Sequence, residues 1–432
     1  MSIFLSANSP WFKDTFGFSE MRSFLETKNQ FILSNDHKTL ESKANGRKFH
    51  VGRFEVLSNM QLDQRCEQMV ESLSKNKGTT DLGGLLFANT GGNVTNLIKD
   101  IENKDCVFQA ASQFNCLEMI GPGVRPEDGI TRYFNDRTQG PACALACPAG
   151  TLYRNYFVNG GKGQAGGNEN QINTLDQIEG ILKKKYWNVK NGYAMPLSNT
   201  SMAALNNRLV AEDQLSQSIH ANLKIGVHWD TEVEKKSKWK KQQNTNGQNN
   251  NWVSEKDTRS EEEQNVCQVY VSACPVAYTK STKSTDWAPF ASIILNSCYE
   301  STLQVANILA LERNERVKVF LTKVGGGAFG NRTMWITNAI EQALEKFKDA
   351  PLDVFVVHYG GRTPKEYAAL EKKIQRKLKK VEKTSKKRTV TNDNNNVDMG
   401  VNNNDSNDSK MAIHETARMI RNDLNKKMNA NE

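Results

Sequence analysis

Residues 317–344, VKVFLTKVGGGAFGNRTMWITNAIEQAL, contain the pattern from which the fold is predicted. The run VKVFLTKV is mostly apolar and predicts a buried strand, and TMWITNAIEQAL has the apolar spacing of a helix. Between them stand Gly325, Gly326 and Gly327, followed by Ala328, Phe329, Gly330 and Asn331. A buried strand followed by a loop and a helix is the building unit of α/β proteins.

The same alternation of apolar runs and helix-like segments continues along the chain. Strands are predicted at residues 51–58, 105–112, 224–230, 266–274 and 352–359. A helix interrupted at Pro148 is expected over residues 140–157, since proline removes a helical hydrogen bond, and a helix pair over 287–314. Strands that are apolar throughout are typical of a sheet covered on both faces. The sequence therefore predicts a three-layer α/β fold with a largely buried sheet.

Low-complexity stretches divide the chain of 432 residues. Residues 231–265 are rich in Asn, Lys and Glu and have too few apolar side chains to offset the entropy of ordering, which predicts a disordered insertion. A similar Asn-rich composition recurs over 384–410. We therefore expect an N-terminal extension at 1–49, one domain over 50–362, and a basic helix with an Asn-rich tail over 363–432.

The net charge of +9 is concentrated in one segment. Residues 371–388, EKKIQRKLKKVEKTSKKR, hold ten Lys or Arg against Glu371 and Glu382, so the rest of the chain is about neutral. Tyr367, Leu370, Ile374, Leu378 and Val381 recur among them at helical spacing. The pattern fits a helix that docks its apolar stripe and exposes cations to phosphate, and it also fits a solvated helix ahead of a disordered tail.

Composition also indicates which classes of protein to exclude. The chain has no apolar run of about 18 residues, so no membrane span is expected. Its N-terminus lacks a basic region ahead of an apolar stretch, which argues against secretion. The eight cysteines form no Cys-x-x-Cys pair, which favours reduced core thiols over a metal site. We expect a cytoplasmic or nuclear protein that needs neither a metal nor a cofactor.

The glycine-rich loop has two interpretations. Bare backbone lets N–H groups approach a phosphate closely, and a helix N-terminus adds a favourable partial charge. A tight structural turn would need the same glycines. The pattern GxxxxGK[ST] does not occur here, so an ordinary nucleotide-binding P-loop is not predicted. Residues 325–330, GGGAFG, have the spacing GxGxxG, which by itself is a weak signal for a dinucleotide fold.

Five segments resemble the macrodomain-like, microbial type of poly(ADP-ribose) glycohydrolase. They are VKVFLTKVGGGAFGNRTMWITNAIEQAL, CQVYVSACPVAY, ASIILNSCYESTLQVANILALERN, CVFQAASQFNCLEM and GPACALACPAGTLYRNYF, spread over about residues 50–360. The resemblance implies that Gly325–Asn331 wraps the diphosphate of ADP-ribose. It also implies that Asn115 contacts the ribose, that Gln139 is a ligand-binding residue, and that the ligand is ADP-ribose or an ADP-ribosylated protein.

The sequence departs from that family at the catalytic signature. The family's glycine-rich signature continues as Gln-Glu-Glu, whereas here Gln139 is followed by Gly140 and Pro141. Cleavage of a glycosidic bond needs a group that protonates the leaving oxygen or activates water. Asp136 is the nearest carboxylate and the first candidate, with Glu118 next. Asp136 would equally suit a helix cap, a role that Asp favours.

Other site candidates have a structural alternative of the same kind. Asn115 would serve in a turn as readily as at a ribose, and Phe329 in the core as readily as against an adenine or ribose. Arg154 would reach a phosphate or lie in a buried helix end. His228 and His358 each end an apolar run and are expected to be structural.

The sequence thus predicts a protein that binds ADP-ribose, with hydrolysis of an ADP-ribosyl linkage as one outcome. A non-catalytic reader of the modification is the alternative. Nucleic-acid binding through residues 371–388 is a third hypothesis.

Overall fold

The structure of the protein is a computed structural model, and it describes residues 10–75, 82–234, 237–242, 251–256, 263–280 and 282–393. Its strands are, in chain order, β1 (Phe31–Leu33), β2 (Thr39–Ser42), β3 (Lys48–His50), β4 (Phe54–Ser58), β5 (Leu86–Gly91), β6 (Val107–Ala111), β7 (Trp187–Lys190), β8 (Tyr193–Pro196), β9 (Lys224–Glu232), β10 (Ser237–Gln242), β11 (Asn251–Lys256), β12 (Asn265–Val271), β13 (Val317–Leu321) and β14 (Leu352–His358).

The helices complete the secondary structure. They are α1 (Pro10–Phe16), α2 (Phe24–Lys28), α3 (Asn59–Lys75), α4 (Val94–Ile98), α5 (Gln139–Ala146), α6 (Pro148–Tyr156), α7 (Val158–Gly161), α8 (Asp176–Leu182), α9 (Ser201–Ala211), α10 (Asp213–Asn222), α11 (Ser284–Arg313), α12 (Thr333–Lys346) and α13 (Lys365–Asp393).

A seven-stranded mixed sheet flanked by helices confirms the predicted fold class. Four of its strands lie in the order β4-β9-β12-β6, with β12 antiparallel to β9 and parallel to β6. The other three lie in the order β13-β14-β5 and are parallel. Every residue of β14 is buried, as expected for a strand covered on both faces.

Some elements differ from those that the sequence predicts. Residues 284–313 form the single helix α11, where a helix pair was expected, because no Gly or Pro follows Pro289 to break it. The interruption at Pro148 is confirmed, since α5 ends at Ala146 and Pro148 opens α6. Strand β5 was not predicted, because its sequence LFANTG has neither alternation nor a long apolar run.

The chain divides into two compact units. The first contains the described residues up to Leu57, residues 94–202, and the described residues of 224–275. Its core includes Trp11, Phe12 and Phe16, packed with residues such as Leu117 and Ile130. Residues 10–49, which were expected to be an extension, therefore contribute to this core through their aromatic side chains.

The second unit contains the described residues of 58–93, residues 203–223, and the described residues of 276–393. In it α11 packs against α3, α12 and β13, and α13 packs against α12 and β5. Tyr367, Leu370 and Ile374 of α13 are buried, which matches the alternative in which the helix docks its apolar stripe. Residues 394–432, the Asn-rich tail, lie outside the described residues.

The predicted insertion 231–265 is in part regular. Strand β9 continues to Glu232 and β12 begins at Asn265, and between them β10 and β11 pair antiparallel from Ser237↔Lys256 to Gln242↔Asn251. Disorder is therefore the wrong prediction for these two strands, because backbone pairing does not require apolar side chains. Residues 243–250 and 257–262 lie outside the described part.

Candidate functional site

The glycine-rich loop joins β13 to α12 in the second unit, as the sequence predicts. Gly325 and Gly330 have φ values of +70° and +72°, a backbone conformation that glycine adopts without a steric cost. The Asn331 N–H donates to the Gly325 carbonyl at 2.9 Å, and the Gly330 N–H to the Gly327 carbonyl at 3.0 Å. These bonds give the loop a defined, closed shape.

Part of the loop backbone is available to a ligand. Within the described residues, the N–H groups of Gly325, Gly327 and Ala328 donate no hydrogen bond. Residues 326–328 are exposed, and a Cβ placed on Gly327 would meet no atom within 4 Å. Exposed N–H groups in a glycine loop ahead of a helix N-terminus are the arrangement that binds anions.

Tyr299 of α11 holds the base of the loop. Its buried hydroxyl donates to the Thr322 carbonyl at 2.7 Å and accepts the Val324 N–H at 3.0 Å. Both backbone groups lie between the end of β13 and Gly325. Sequence reasoning missed this positioning residue, because Tyr299 stands far ahead of the loop and has no local signal.

Phe329 and Asn331, in the C-terminal half of the loop, both contact other parts of the protein. The Phe329 ring meets Tyr278 edge-on with centroids 5.5 Å apart, and the Phe329 carbonyl accepts the Ala277 N–H at 2.9 Å. Asn331 is buried, and its side-chain amide lies 3.4 Å from the Gly325 carbonyl. These contacts match the structural alternative for Phe329, while its stacking on a ligand stays a prediction.

Asn115 lies in the first unit, in a tight turn after β6. Its Oδ1 accepts the Leu117 N–H at 3.1 Å and its Nδ2 donates to Gln171 at 2.9 Å. The neighbouring Cys116 has a φ of +60°, and Asn115 is fully buried. The side chain thus performs the turn role, and contact with a ribose stays a prediction.

Gln139 binds the backbone of β6. Its Oε1 accepts the Ala111 N–H at 2.9 Å, and its Nε2 donates to the Gln109 carbonyl at 2.8 Å. A Cβ on the next residue, Gly140, would lie 1.9 Å from the Ala111 carbonyl oxygen, so only glycine fits there. The Gln-Gly pair therefore docks α5 closely on β6, which gives Gln139 a structural role beside its predicted one.

Asp136 precedes α5 and is partly exposed. Its Oδ1 accepts the Thr138 N–H at 2.8 Å, and Thr138 stands at the N-cap position of α5 without a capping hydrogen bond from its side chain. This hydrogen bond supports the capping alternative, because a carboxylate at a helix start also meets the positive end of the helix dipole. A role as general acid or base stays a prediction.

Glu118 is buried in an ion pair. Both its oxygens accept from Nη2 of Arg154, at 3.0 and 2.9 Å, and Oε1 also accepts from Ser112 at 2.8 Å. Both side chains of the pair have 0% exposure. Burial raises the pKa of the Glu118 carboxyl, and the charge of Arg154 opposes that rise. The Glu118 side chain thus has no exposed surface, and a catalytic role for it stays a prediction.

Arg154 lies in a buried helix end, the structural alternative for this residue. Its Nε donates to the Cys116 carbonyl at 2.8 Å, and its guanidinium lies 3.7 Å from the centroid of the Tyr270 ring. The side chain is wholly buried, so it does not reach a phosphate at the surface.

The two histidines are structural, as expected. His228 lies 3.2 Å from the Tyr270 hydroxyl, and burial lowers its pKa well below the usual value. His358 lies 2.8 Å from Oδ1 of Asn89. Burial, with a contribution from Lys323, lowers the pKa of His358 to about 4.

Two other features are absent from the described part of the chain. No group of three or more His, Cys, Asp or Glu there is placed to hold a metal ion. None of the described helices combines the length and the hydropathy that a membrane span needs.

Comparison with known proteins was made at the level of sequence and of structure. No protein-family model matches the sequence, and no curated protein matches it either. Among solved structures, the chain is similar to a poly(ADP-ribose) glycohydrolase from Deinococcus radiodurans in complex with ADP-ribose. The identity is 10%, the TM-score is 0.35, and the match covers 75% of this chain and 94% of the other.

A second similar structure is the poly(ADP-ribose) glycohydrolase of Thermomonospora curvata bound to the inhibitor ADP-HPD. It has 11% identity and a TM-score of 0.34, with 81% of this chain and 96% of the other covered. A mutant of the D. radiodurans enzyme, also in complex with ADP-ribose, has 8% identity and a TM-score of 0.36.

Proposed function

We propose that the protein binds ADP-ribose or an ADP-ribosyl group, with the diphosphate held by the loop Gly325–Asn331. The observation that carries the proposal is the set of backbone N–H groups at Gly325, Gly327 and Ala328, which have no acceptor within the described residues. They stand in a closed loop ahead of α12, a helix of 14 residues. Hydrogen bonds from such groups to a charged phosphate each contribute about 1.5–3 kcal/mol.

The choice of ADP-ribose among phosphate-bearing ligands rests on the resemblance of five sequence segments to the microbial type of poly(ADP-ribose) glycohydrolase. The loop by itself recognises only a phosphate or diphosphate, because backbone N–H groups do not distinguish what the phosphate carries. The proposal therefore has two parts: the glycine loop binds a phosphate or diphosphate, and the ligand that carries it is ADP-ribose.

Calorimetric titration tests both parts. ADP-ribose, ADP, AMP and inorganic pyrophosphate are titrated into the full chain, and ADP-ribose is expected to bind most tightly. Gly327→Val should weaken ADP-ribose binding by about tenfold or more, since its side chain keeps the phosphate from the N–H groups. Gly123→Val is the matched control, because Gly123 is exposed, has open space for a Cβ and lies outside the loop.

The results separate the alternatives. Normal ADP-ribose binding by Gly327→Val would make the loop a structural turn and refute its role as a phosphate cradle. Equal affinity for all four ligands would keep the cradle and remove the specificity for ADP-ribose. Absence of heat and of thermal stabilisation at millimolar ADP-ribose would refute the proposed function as a whole.

The carboxylates favour a reader over a hydrolase. Glu118 is paired with Arg154 and has no exposed side-chain surface, and Asp136 accepts the Thr138 N–H beside α5. General acid or base catalysis requires a carboxylate within hydrogen-bond reach of the substrate. We accordingly expect the wild-type protein to bind ADP-ribose and to release none from an ADP-ribosylated protein.

Asp136→Asn and Asp136→Ala test this expectation. Asparagine keeps an oxygen that accepts the Thr138 N–H but loses the acid–base function, whereas alanine loses both. Release of free ADP-ribose by the wild type, reduced about 10²–10⁴-fold in both variants, would establish Asp136 as the catalytic carboxylate and refute the reader. Release that both variants retain would place the chemistry at another residue.

A further inference from the structure

Helix α13 carries a row of cations on the side opposite its buried stripe. Lys372, Arg376 and Lys379 are exposed and follow one another at i, i+4 and i+7, so they share one helix face. Tyr367, Leu370 and Ile374 are buried on the other face. The amphipathic pattern predicted from the sequence is thus present in the described part of this helix.

Among the described residues these three cations have no ion-pair partner, whereas two neighbouring lysines do. Within the described residues, Lys372, Arg376 and Lys379 make no ion pair. Lys373 binds Glu341 of α12 at 2.6 Å, and Lys377 binds both Glu341 and Glu345. The helix therefore uses two lysines to attach itself to α12 and leaves three cations for another molecule.

The acidic residue of this part of the helix points away from the exposed face. Glu371 is buried, and its carboxylate accepts from the Asn89 side chain at 2.8 Å. Its removal from the surface leaves the exposed face positive without interruption. Because ion pairs, buried side chains and the Asn89 hydrogen bond all fix the helix, these cations are held in place before any partner arrives, which lowers the entropy cost of binding.

We propose that the exposed face of α13 binds the phosphate backbone of duplex nucleic acid without sequence preference. Phosphates dominate such binding, and rows of Lys and Arg on a helix match their charge. Proteins that bind single strands add aromatic side chains on which bases stack. On the described part of α13, the aromatic residue Tyr367 is buried on the opposite face, so the surface suits a duplex better than a single strand.

The sequence extends the same chemistry beyond Lys379. Residues 380–388, KVEKTSKKR, add further Lys and Arg with Glu382 as the acidic residue among them. The backbone of α13 continues as a helix to Asp393. Substituting the three described cations should therefore weaken duplex binding without abolishing it.

The test compares two triple variants of the full chain by fluorescence anisotropy. The first is Lys372→Gln, Arg376→Gln and Lys379→Gln, since glutamine is a good helix former. The second, a control with the same loss of charge, is Lys162→Gln, Lys185→Gln and Lys348→Gln, three exposed lysines elsewhere. The probes are two 20-base-pair duplexes of different sequence, a single strand of equal length and vesicles containing phosphatidylserine.

The α13 variant should bind both duplexes about tenfold more weakly than the wild type at low salt. The slope of log K against log salt should fall by about 2 to 3, since each lost phosphate contact removes about 0.9. The control should bind like the wild type, and both variants should retain ADP-ribose binding, so this proposal fails independently of the one above. Equal losses in the two variants, or tighter binding to the single strand or the vesicles, would overturn it.

Discussion

The Tyr299 hydroxyl bonds the two backbone groups on either side of Lys323, the Thr322 carbonyl at 2.7 Å and the Val324 N–H at 3.0 Å. One side chain of α11 thereby adds hydrogen bonds to the backbone of the short segment between the end of β13 and the glycine loop. Both groups are buried, so neither has water as a substitute.

Replacing Tyr299 by Phe should therefore destabilise the protein and disturb the loop. We expect the free energy of unfolding to fall by about 0.5–1.5 kcal/mol, because the two hydrogen bonds of the hydroxyl are lost while the Val324 N–H keeps its bond to the Thr322 carbonyl at 3.0 Å. ADP-ribose affinity should fall as well, as measured by calorimetry beside urea denaturation. Tyr359→Phe, at a residue that is 75% exposed, is the control and should change neither quantity. Unchanged stability in Tyr299→Phe would contradict the bracing role.

The glycines of the loop should differ in their tolerance of a side chain. Gly330→Ala should cost stability, because Gly330 has a φ of +72° and its new Cβ would lie 2.8 Å from that of Ala277. We expect a loss of at least about 1 kcal/mol from the backbone conformation alone. Gly327→Ala should keep the stability of the wild type or exceed it slightly.

Gly326 lies between these two cases. A Cβ there would be 3.0 Å from Cδ1 of Ile336 and 3.2 Å from the Lys323 carbonyl. A bulky residue at Gly326 should therefore lower the thermal midpoint. Equal midpoints for Gly326→Val and Gly327→Val would show that the loop adjusts freely.

Breaking the buried pair of Glu118 and Arg154 should be strongly destabilising. Glu118→Gln leaves the guanidinium charge buried without its counter-ion, which typically costs about 3–5 kcal/mol. Arg125→Gln removes a partner from an exposed pair and should cost less than about 1 kcal/mol. Replacing both Glu118 and Arg154 by Met should restore part of the loss. Denaturant unfolding measures all three, and a small effect of Glu118→Gln alone would argue against a charged pair.

Acid should destabilise the fold through His358. Its Nε2 donates to Oδ1 of Asn89, while its buried Nδ1 has no acceptor among the described residues, so a second proton is unfavourable. The pKa of about 4 lies below the usual 6.5. The unfolded chain therefore binds a proton that the folded protein does not between these values, and stability falls as the pH drops through them.

The expected loss from this single group is about 2–3 kcal/mol at pH 4 relative to pH 7, at 1.36 kcal/mol per unit of pKa shift. Comparing the stability of the wild type with that of His358→Gln across this pH range separates the contribution of His358 from that of the other histidines. An NMR titration of the imidazole provides the direct reading. A midpoint near 6.5 would contradict the prediction.

The amino-acid sequence alone determined the elements with a strong local pattern. The strand at Val317–Leu321, the glycine loop and the helix from Thr333 were all predicted, because apolar periodicity and consecutive glycines act within a few residues. The interruption at Pro148 and the buried stripe of α13 followed from the same kind of local rule. Strand β5 was missed because its burial comes from its neighbours, β14 and α13, and its own pattern is weak.

Tertiary structure alone decided what the polar side chains do. Glu118, Asn115 and Gln139 were candidates for the site by their residue types, yet each has its side chain bound to protein groups. The partners of Glu118 and Gln139 lie as far along the chain as Arg154 and Gln109, beyond any local pattern. A carboxylate or amide has the same chemistry in the core and in a cleft. Its role depends on burial and on which groups the fold brings within about 3 Å, and both are properties of the folded chain.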